Sequence, residues 1–406
     1  MLLSLALSLP SLAWAAPEPS DTDSSVDSAS ADAQAEAPTP RPAVAKPPPR
    51  PEPPASEDKP RSKLEGGFGL ERGAWLATPH AEFGLGLLTV MRYGATIDGG
   101  LESLGFSLPM VRPNLHASLL DGDLRVLIQP EFAGPKPRLL DAEIVYQPFA
   151  AFGVDVGQYR PHVSRAWDTP IPRLSMPGRG TVDDAFHTDR ALGATVFGRP
   201  FGGRFEYDIG VFNAGGYNNG TPVELQPLVT ARLAYNPMGP VPYTQTPGVD
   251  LDPAKPGSRR AKVGLGLHGW TDRHADTPTD TDAKADPRRR MVAGGDVVVM
   301  TPRLHFLAEG FGRWEARTSK LFDVGWGSQA QLGVVVLERT LEVQGRAGVL
   351  DLGSDAGLQG IWEGGLVWYL WGNHIRAQLH YSATQTLSGP SAPTVHLAQV
   401  QTQLWF

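Results

Sequence analysis

Residues 396–406 read HLAQVQTQLWF, and they decide the fold. Taken in steps of two, one face carries the mainly apolar residues Ala398, Val400, Thr402, Leu404 and Phe406. The opposite face carries Gln399, Gln401, Gln403 and Trp405. This alternation is typical of a β-strand. Because chain ends fray unless a neighbour holds them, a strand that includes the last residue needs a partner edge. A sheet closed into a barrel supplies that edge, since its last strand pairs with its first.

The composition argues against several classes of protein. The 406 residues include no cysteine, so disulfide scaffolds, thiolate metal sites and cysteine nucleophiles are excluded. The net charge of −7 argues against a nucleic-acid binder. No run of about 18 apolar residues is present, so a membrane-spanning fold of this chain has to be a β-barrel. No cofactor or metal is predicted, because the carboxylates of residues 276–286 lack the spacing of an EF-hand loop.

Three regions differ in composition. Residues 1–15 combine an apolar stretch with the small-residue pattern Ala13-Trp14-Ala15, which predicts a secretory signal peptide. Residues 16–63 are rich in Pro, Ala, Ser and Asp, and we expect a disordered extension that serves as a spacer or as a tether to the cell wall. Residues 64–406 carry the strand pattern and form the predicted barrel domain.

Polar and apolar residues alternate repeatedly in this third region. Sixteen segments are predicted as strands: 82–94, 106–119, 123–132, 138–149, 152–161, 190–198, 203–213, 226–236, 261–270, 290–301, 303–317, 325–337, 340–350, 360–370, 374–384 and 395–406. Their polar faces carry charges at successive positions, which suits a water-filled lumen. The sequence therefore predicts an all-β fold, a 16-stranded antiparallel transmembrane β-barrel with both termini on the periplasmic side.

The alternation also predicts which side chains face the lumen and which face the membrane interface. The predicted pore-lining charges are Arg92, Arg112, Arg125, Glu131, Asp141, Glu143, Arg204, Glu206 and Arg376. Aromatic residues near strand ends fit the interfacial girdles of a membrane barrel. They are Tyr146, Tyr235, Trp270, Trp314, Trp368, Trp371, Tyr381 and Trp405.

Several segments resemble the phosphate-selective porin O and P family. The matching features are a strand that ends Gly157-Gln158-Tyr159-Arg160, then Asp189-Arg190 before Gly193, and the strand residues Val211-Phe212-Asn213. The resemblance is clearest over 138–240 and 361–406. It implies a trimeric porin of the Gram-negative outer membrane whose third loop folds into the pore. It also implies that the outer-membrane assembly machinery reads Phe406 as an assembly signal.

Residues 160–190 occupy the position of that third loop and are the predicted pore constriction. They contain five arginines, Arg160, Arg165, Arg173, Arg179 and Arg190. Against these stand Asp168, Asp183, Asp184 and Asp189. Arginine suits anion binding because its planar fork binds phosphate or carboxylate oxygens in pairs and keeps its charge. Loop charges are commonly paired or solvated, however, and five against four is nearly balanced.

The charge content favours modest selectivity. Only five lysines follow residue 64, and the resemblance leads us to expect lysine-rich walls in a phosphate specialist. We therefore expect a general diffusion channel for small hydrophilic solutes or inorganic anions, with a mixed constriction and at most a mild anion preference. Arg288, Arg289 and Arg290 are candidates for contact with lipopolysaccharide phosphates, but simple exposure explains them better.

Other functions are weighed against the channel. Asn114, His116 and Ser118 share one strand face, but residues two apart are separated by about 6.6 Å along a strand, and a nucleophile and its base need about 3 Å. No enzyme is predicted. A non-conducting barrel with a structural, wall-tethering or adhesive role remains open, as does a soluble exported all-β domain.

Overall fold

The computed structural model describes residues 64–70, 72–214, 216, 227–251, 260–275, 287–317, 323–353, 357–389 and 392–406. The predicted signal peptide, the predicted disordered extension and the acidic residues 276–286 lie outside the described residues. Within the described ranges, no helix has both the length and the apolar character needed to cross a membrane.

Eighteen strands are present in the described residues. They are β1 Glu65–Gly69, β2 Gly73–Ala77, β3 Ala81–Asp98, β4 Leu101–Leu119, β5 Leu124–Glu131, β6 Arg138–Phe149, β7 Phe152–Tyr159, β8 Ala191–Gly198, β9 Phe205–Phe212, β10 Leu228–Tyr235, β11 Lys262–Ala275, β12 Pro287–Thr301, β13 Leu304–Arg317, β14 Asp323–Leu337, β15 Leu341–Asp351, β16 Leu358–Trp371, β17 Ile375–Ser388 and β18 Val395–Trp405.

Strands β3 to β18 form a closed antiparallel barrel. Each pairs with the next along the chain, and β18 pairs with β3 from Val395 opposite Asp98 to Trp405 opposite Leu88. The predicted 16-stranded barrel is confirmed, and each predicted segment corresponds to one of these strands.

The last residue completes the closure. The amide of Leu87 donates to the carbonyl oxygen of Phe406 at 2.8 Å, and the amide of Phe406 donates back to Leu87 at 3.0 Å. Gly86 provides room here, because a Cβ at this position would collide with the carbonyl oxygen of Phe406. The strand thus pairs to its final residue because the first barrel strand supplies the edge.

Strands β1 and β2 form a hairpin that the sequence analysis did not predict. β2 pairs with β3 over residues 82–85, on the edge of β3 that β18 leaves uncovered. The ring of Phe68 lies 5.6 Å from the ring of Phe406 in an edge-to-face contact. The hairpin strands have only five residues each, too few for a clear alternation pattern.

The barrel has its polar side chains inside and its apolar side chains outside. In β14, the inward Gln329 and Gln331 are 7% and 3% exposed, whereas the outward Leu332 and Val334 are 46% and 40% exposed. A soluble protein has the opposite arrangement, since apolar burial drives its folding. The outward surface therefore fits a lipid environment.

The two ends of the barrel differ in their connections. At the end where Phe406 lies, here called the turn end, most connections contain six residues or fewer, such as residues 150–151 and 302–303. The connection between β16 and β17 is one of them, and its Gly372 has a φ of +53° that favours glycine. The exception at this end is the connection from β10 to β11, residues 236–261. Residues 160–190, between β7 and β8, belong to the opposite end.

Candidate functional site

The outward aromatic residues lie where the girdle prediction expects them, with two exceptions. Tyr146, Tyr235, Trp368, Trp371 and Tyr381 are each more than 40% exposed, and Trp314 also points outward. Trp270 instead faces the lumen and donates from Nε1 to the carbonyl oxygen of Phe186 at 2.8 Å. Trp405 lies on the inward face of β18 and lines a lumen cavity. Trp270 thus gains a hydrogen bond to the chain that enters the lumen, and the ring of Trp405 stacks on that of His374.

Residues 160–190, here called the constriction loop, fold into the lumen. Two short helices shape it, α1 (Arg165–Asp168) and α2 (Thr181–Phe186). Ser164 caps α1 by accepting the amide of Trp167 at 3.0 Å, and its hydroxyl donates to Asp183 at 2.5 Å. Helix caps satisfy amides that the helix leaves free, so this serine ties the two halves of the loop together.

The loop is docked on the wall formed by β11 to β17. Glu309 of β13 accepts the amide of Ala166 at 2.9 Å, and Gln378 of β17 donates to the carbonyl oxygen of Ser175 at 2.7 Å. The rings of Phe186 and Phe311 stack with centroids 5.3 Å apart. Polar and apolar contacts together fix the loop against one half of the barrel.

Two of the predicted anion-binding arginines hold the loop together instead. Arg179 donates to the carbonyl oxygens of Ala166, Trp167 and Thr169 at 2.9, 3.1 and 2.9 Å. It is 8% exposed, and burial lowers its pKa to about 9. Arg165 is 2% exposed and donates to the carbonyl oxygen of Pro242 at 2.6 Å. Neither guanidinium is open to a passing solute.

The other three loop arginines differ from one another. Arg190 forms a two-point ion pair with Asp141, at 2.7 and 3.1 Å. Arg160 donates from Nη1 to the carbonyl oxygen of Trp167 at 2.6 Å and lines a cavity. Arg173 is partly exposed, and the described residues contain no ion-pair partner for it. Arg160 and Arg173 are therefore the loop arginines available to a solute.

Of the loop carboxylates, two are enclosed in the lumen and two are exposed. Asp168 lies 3.2 Å from His162 and 3.8 Å from Arg232. Asp183 is fully buried, and burial raises its pKa to about 7. Asp184 and Asp189 are exposed. Only these last two can meet solvent freely.

A lumen cavity of about 390 Å³ lies between the constriction loop and the wall formed by β18 and β3 to β7. Its charged and polar lining includes Arg112, Asn114, Glu143, Asp155, Arg160 and His162. Arg112 is neutralised by Glu131 at 2.6 Å. Burial alone would lower the pKa of His162, but the adjacent Asp168 carboxylate raises it to about 9. Glu143 and Asp155 have no ion-pair partner in the described residues, so the cavity is mixed in charge.

The predicted wall residues also divide into open and covered positions. Arg92 donates to Gln401 at 2.8 Å, and Arg125 donates to Gln147 at 3.0 Å, both beside the open part of the lumen. Glu206 and Arg376 point inward but are 4% and 1% exposed. Tyr243 covers Glu206 and donates to it, whereas Arg376 is bound by Asn373 and Gln403. Arg204 differs from the prediction: the chain turns at Gly202 and Gly203, and Arg204 is exposed before β9 begins.

Residues 236–251, here called the strap, are the part of the site that the sequence analysis missed. The strap enters the lumen from the turn end and contacts the constriction loop through Pro242 and Gln245. One signal was available. A connection of this length stood out at the end of the barrel where the other connections are short.

The possible triad on β4 does not assemble. The side chains of His116 and Asn114 lean together to 3.2 Å, which the axial spacing alone did not predict. In the described residues no hydrogen bond joins His116 to Ser118. A base without contact to its nucleophile gives no catalytic pair.

One group of side chains in the described residues has the separation that a metal ion needs. It comprises Asp183, Asp184 and His187, whose ligand atoms lie within 4.8 Å of one another. Hydrogen bonds account for its geometry, because Nδ1 of His187 lies 3.0 Å from the carbonyl oxygen of Asp183 and the ring stacks on Trp167 at 3.7 Å. We assign no metal to it.

Comparisons with known proteins agree with the barrel. No family model and no curated protein matches the chain. Among solved structures, outer-membrane expressed OmpT of Vibrio cholerae is 10% identical with a TM-score of 0.57, covering 82% of this chain and 100% of that chain. An anion-selective porin from Comamonas acidovorans is 12% identical with a TM-score of 0.54, covering 80% and 100%. The outer membrane channel DcaP of Acinetobacter baumannii is 13% identical with a TM-score of 0.51, covering 81% and 99%.

At these identities the likeness establishes the fold alone. The chain has the fold of outer-membrane porins. The resemblance to the phosphate-selective porin O and P family is finer than these neighbours support, and it stays a sequence-based expectation.

Proposed function

We propose that the protein is an outer-membrane channel for the passive diffusion of small hydrophilic solutes or ions in a Gram-negative bacterium. The observation that carries this proposal is a polar lumen inside an apolar barrel, with a cavity of about 390 Å³ left beside the constriction loop. Charges that line a passage set which solutes cross it, and no catalytic step is needed.

The pairing of charges favours weak selectivity. Arg112 is neutralised by Glu131, and Arg190 by Asp141. The mild anion preference expected from the sequence then depends on Arg160 and Arg173, opposed by the carboxylates around the cavity. A field made of such nearly balanced charges steers ions only weakly.

Planar-bilayer conductance of the refolded protein tests the proposal. The reversal potential is measured under a salt gradient, and phosphate is then added at increasing concentration. Conductance with little selectivity and no phosphate block supports a general diffusion pore. Conductance with anion preference and phosphate block supports the narrower anion-binding pore. A correctly folded barrel that passes no current contradicts both.

A second candidate is a non-conducting barrel with a structural, wall-tethering or adhesive role. It is favoured by one observation, that the constriction loop and the strap fill a large part of the lumen. Absence of current in the same bilayer experiment, with liposomes that do not swell in small sugars, would favour this role.

We also propose three partners. A homotrimer is suggested by a structural neighbour described as OmpT of Vibrio cholerae in a trimer form. Phe406 is the proposed signal for the outer-membrane assembly machinery, since its backbone closes the barrel. The exposed Arg289, at the end of the barrel opposite the turn end, is a candidate contact for lipopolysaccharide. Cross-linking in native outer membranes tests the trimer.

A further inference from the structure

The strap spans a large part of the barrel. On one side, Tyr243 donates its hydroxyl to Glu206 of β9 at 2.9 Å. On the other, Asn373 in the turn between β16 and β17 donates to Thr246 at 2.8 Å and to Asp250 at 2.9 Å. Strands β10 to β15 lie between these anchors on one side, and β18 followed by β3 to β8 lies between them on the other. The strap therefore crosses the lumen from one wall to nearly the opposite wall.

The middle of the strap is fully enclosed. Thr244, Gln245 and Thr246 are 1%, 1% and 0% exposed. Gly248 lies against Val335 of β14, so the strap also contacts the wall between its two anchors. A connection that merely lay over the end of the barrel would keep its polar residues in solvent.

Hydrogen bonds join the strap to the constriction loop. The amide of Gln245 donates to the carbonyl oxygen of Arg173 at 2.9 Å. The Gln245 side-chain oxygen accepts from the amide of Ser175 at 3.2 Å and from Gln331 of β14 at 3.0 Å. Loop, strap and wall thus meet at one glutamine.

Arg165 provides a second junction. Its guanidinium donates to the carbonyl oxygens of Pro242 and Val241 at 2.6 and 3.3 Å and lies 4.6 Å from the ring centroid of Tyr243. Apolar side chains also join the loop to the strap. Ala166 of the loop and Val241 of the strap belong to one buried cluster with Val298, Met300 and Leu307.

We infer that the strap is a second constricting element, which enters from the turn end and together with the constriction loop closes the half of the lumen beside β9 to β17. This inference rests on the proposed channel function. The passage that remains runs beside β3 to β8, where the cavity lined by Arg112, Glu143, Asp155 and Arg160 lies. The strap therefore sets the upper size of a hydrophilic solute, and Arg165 positions the loop against it.

Two variants test this inference. In the first, residues 238–260 are replaced by the two-residue turn Asn-Gly, which suits a tight connection between antiparallel strands. In the second, Arg165→Met removes both carbonyl hydrogen bonds and keeps a long side chain. Arg303→Met is the matched control, because Arg303 is 76% exposed in another connection at the turn end. Folding of each variant is checked by heat-modifiable migration on a gel.

Single-channel conductance and the swelling of liposomes in sugars of increasing mass are measured. Removing the strap should raise the conductance about twofold and admit larger sugars, since lumen cross-section governs flow through a barrel. Arg165→Met should increase current noise and conductance to a smaller extent, and Arg303→Met should behave as the parent.

The outcomes separate the inference from the proposed function. A parent that conducts and a folded strap-deleted barrel with the same conductance and sugar cut-off would overturn the inference and leave the channel function standing. A silent parent with a conducting strap-deleted barrel would support the inference and contradict passive diffusion. Silence of both folded barrels would overturn both.

Discussion

Arg232 offers a sharp test of how the lumen is held together. Its guanidinium binds Asp296 of β12 at 2.6 and 3.1 Å, and both side chains are 1% exposed. Asp168 of the constriction loop lies 3.8 Å away, and the hydroxyl of Tyr243 in the strap lies 3.4 Å away. Arg232 of β10 thus lies against a carboxylate of the wall, a carboxylate of the loop and a hydroxyl of the strap.

Arg232→Met is expected to destabilise the barrel by about 3–5 kcal/mol, because it leaves a buried carboxylate without its partner. His268 lies 3.7 Å from Asp296 and offsets part of that loss, so the lower end of the range is expected. Replacing both partners removes the uncompensated charge. The double variant Arg232→Met with Asp296→Leu should recover at least about 2 kcal/mol relative to Arg232→Met alone.

The free energy of unfolding is measured by urea titration in lipid vesicles, followed by tryptophan fluorescence. Arg303→Met is again the matched control, since its pair with Glu338 is long at 3.8 Å and exposed on both sides. Such a surface pair contributes about 0–1 kcal/mol. A loss at Arg232 no larger than the loss at Arg303, or a double variant less stable than the single one, would refute the reasoning.

Three further predictions concern assembly, pH and selectivity. Deleting Phe406 removes both backbone hydrogen bonds to Leu87, so the folded fraction in outer membranes should fall sharply by gel migration. Burial raises the pKa of Asp183 from 3.8 to about 7, so ionisation of this carboxyl destabilises the folded state as the pH rises from about 4 to 7. Asp183→Asn should therefore have a larger free energy of unfolding than the parent at pH 8, but not near pH 4. Urea titration at both pH values checks this. Arg160→Ala should shift the reversal potential towards cations, whereas Arg179→Ala should weaken loop docking, seen as increased current noise, and leave the potential nearly unchanged.

The strands were predictable because alternation is a local property. In β18 each glutamine is flanked by apolar or small residues, and the three glutamines are buried in the lumen at 2–5% exposure. A two-residue period fixes the face of every side chain once the strand is placed. The period does not predict which other parts of the chain pack against the inward face. Glu206 and Arg376 point inward, yet Tyr243 of the strap covers Glu206, and Asn373 and Gln403 bind Arg376.

The sequence did not predict which loop arginines are buried or paired, since this depends on partners far away in the chain. Arg165 is bound by carbonyl oxygens of residues 241 and 242, and Arg190 by a carboxylate of β6. No feature of the local sequence predicts that Arg165 and Arg179 are buried and that Arg160 lines the cavity. Only the path of the loop inside the barrel separates them.

This dependence explains why a count of arginines overstates the positive field of a pore. An arginine in a lumen loses solvation, and the fold stabilises it either with a carboxylate, as at Arg190, or with carbonyl oxygens, as at Arg179. A carboxylate partner cancels its charge, and burial among carbonyls keeps solutes from reaching it. The arginines that act on a solute are those that the fold leaves incompletely bound. By that criterion Arg160 and Arg173 outweigh the other three loop arginines together, and Glu143 and Asp155 oppose Arg160 in the cavity that they share. For the proposed channel we therefore expect weak selectivity.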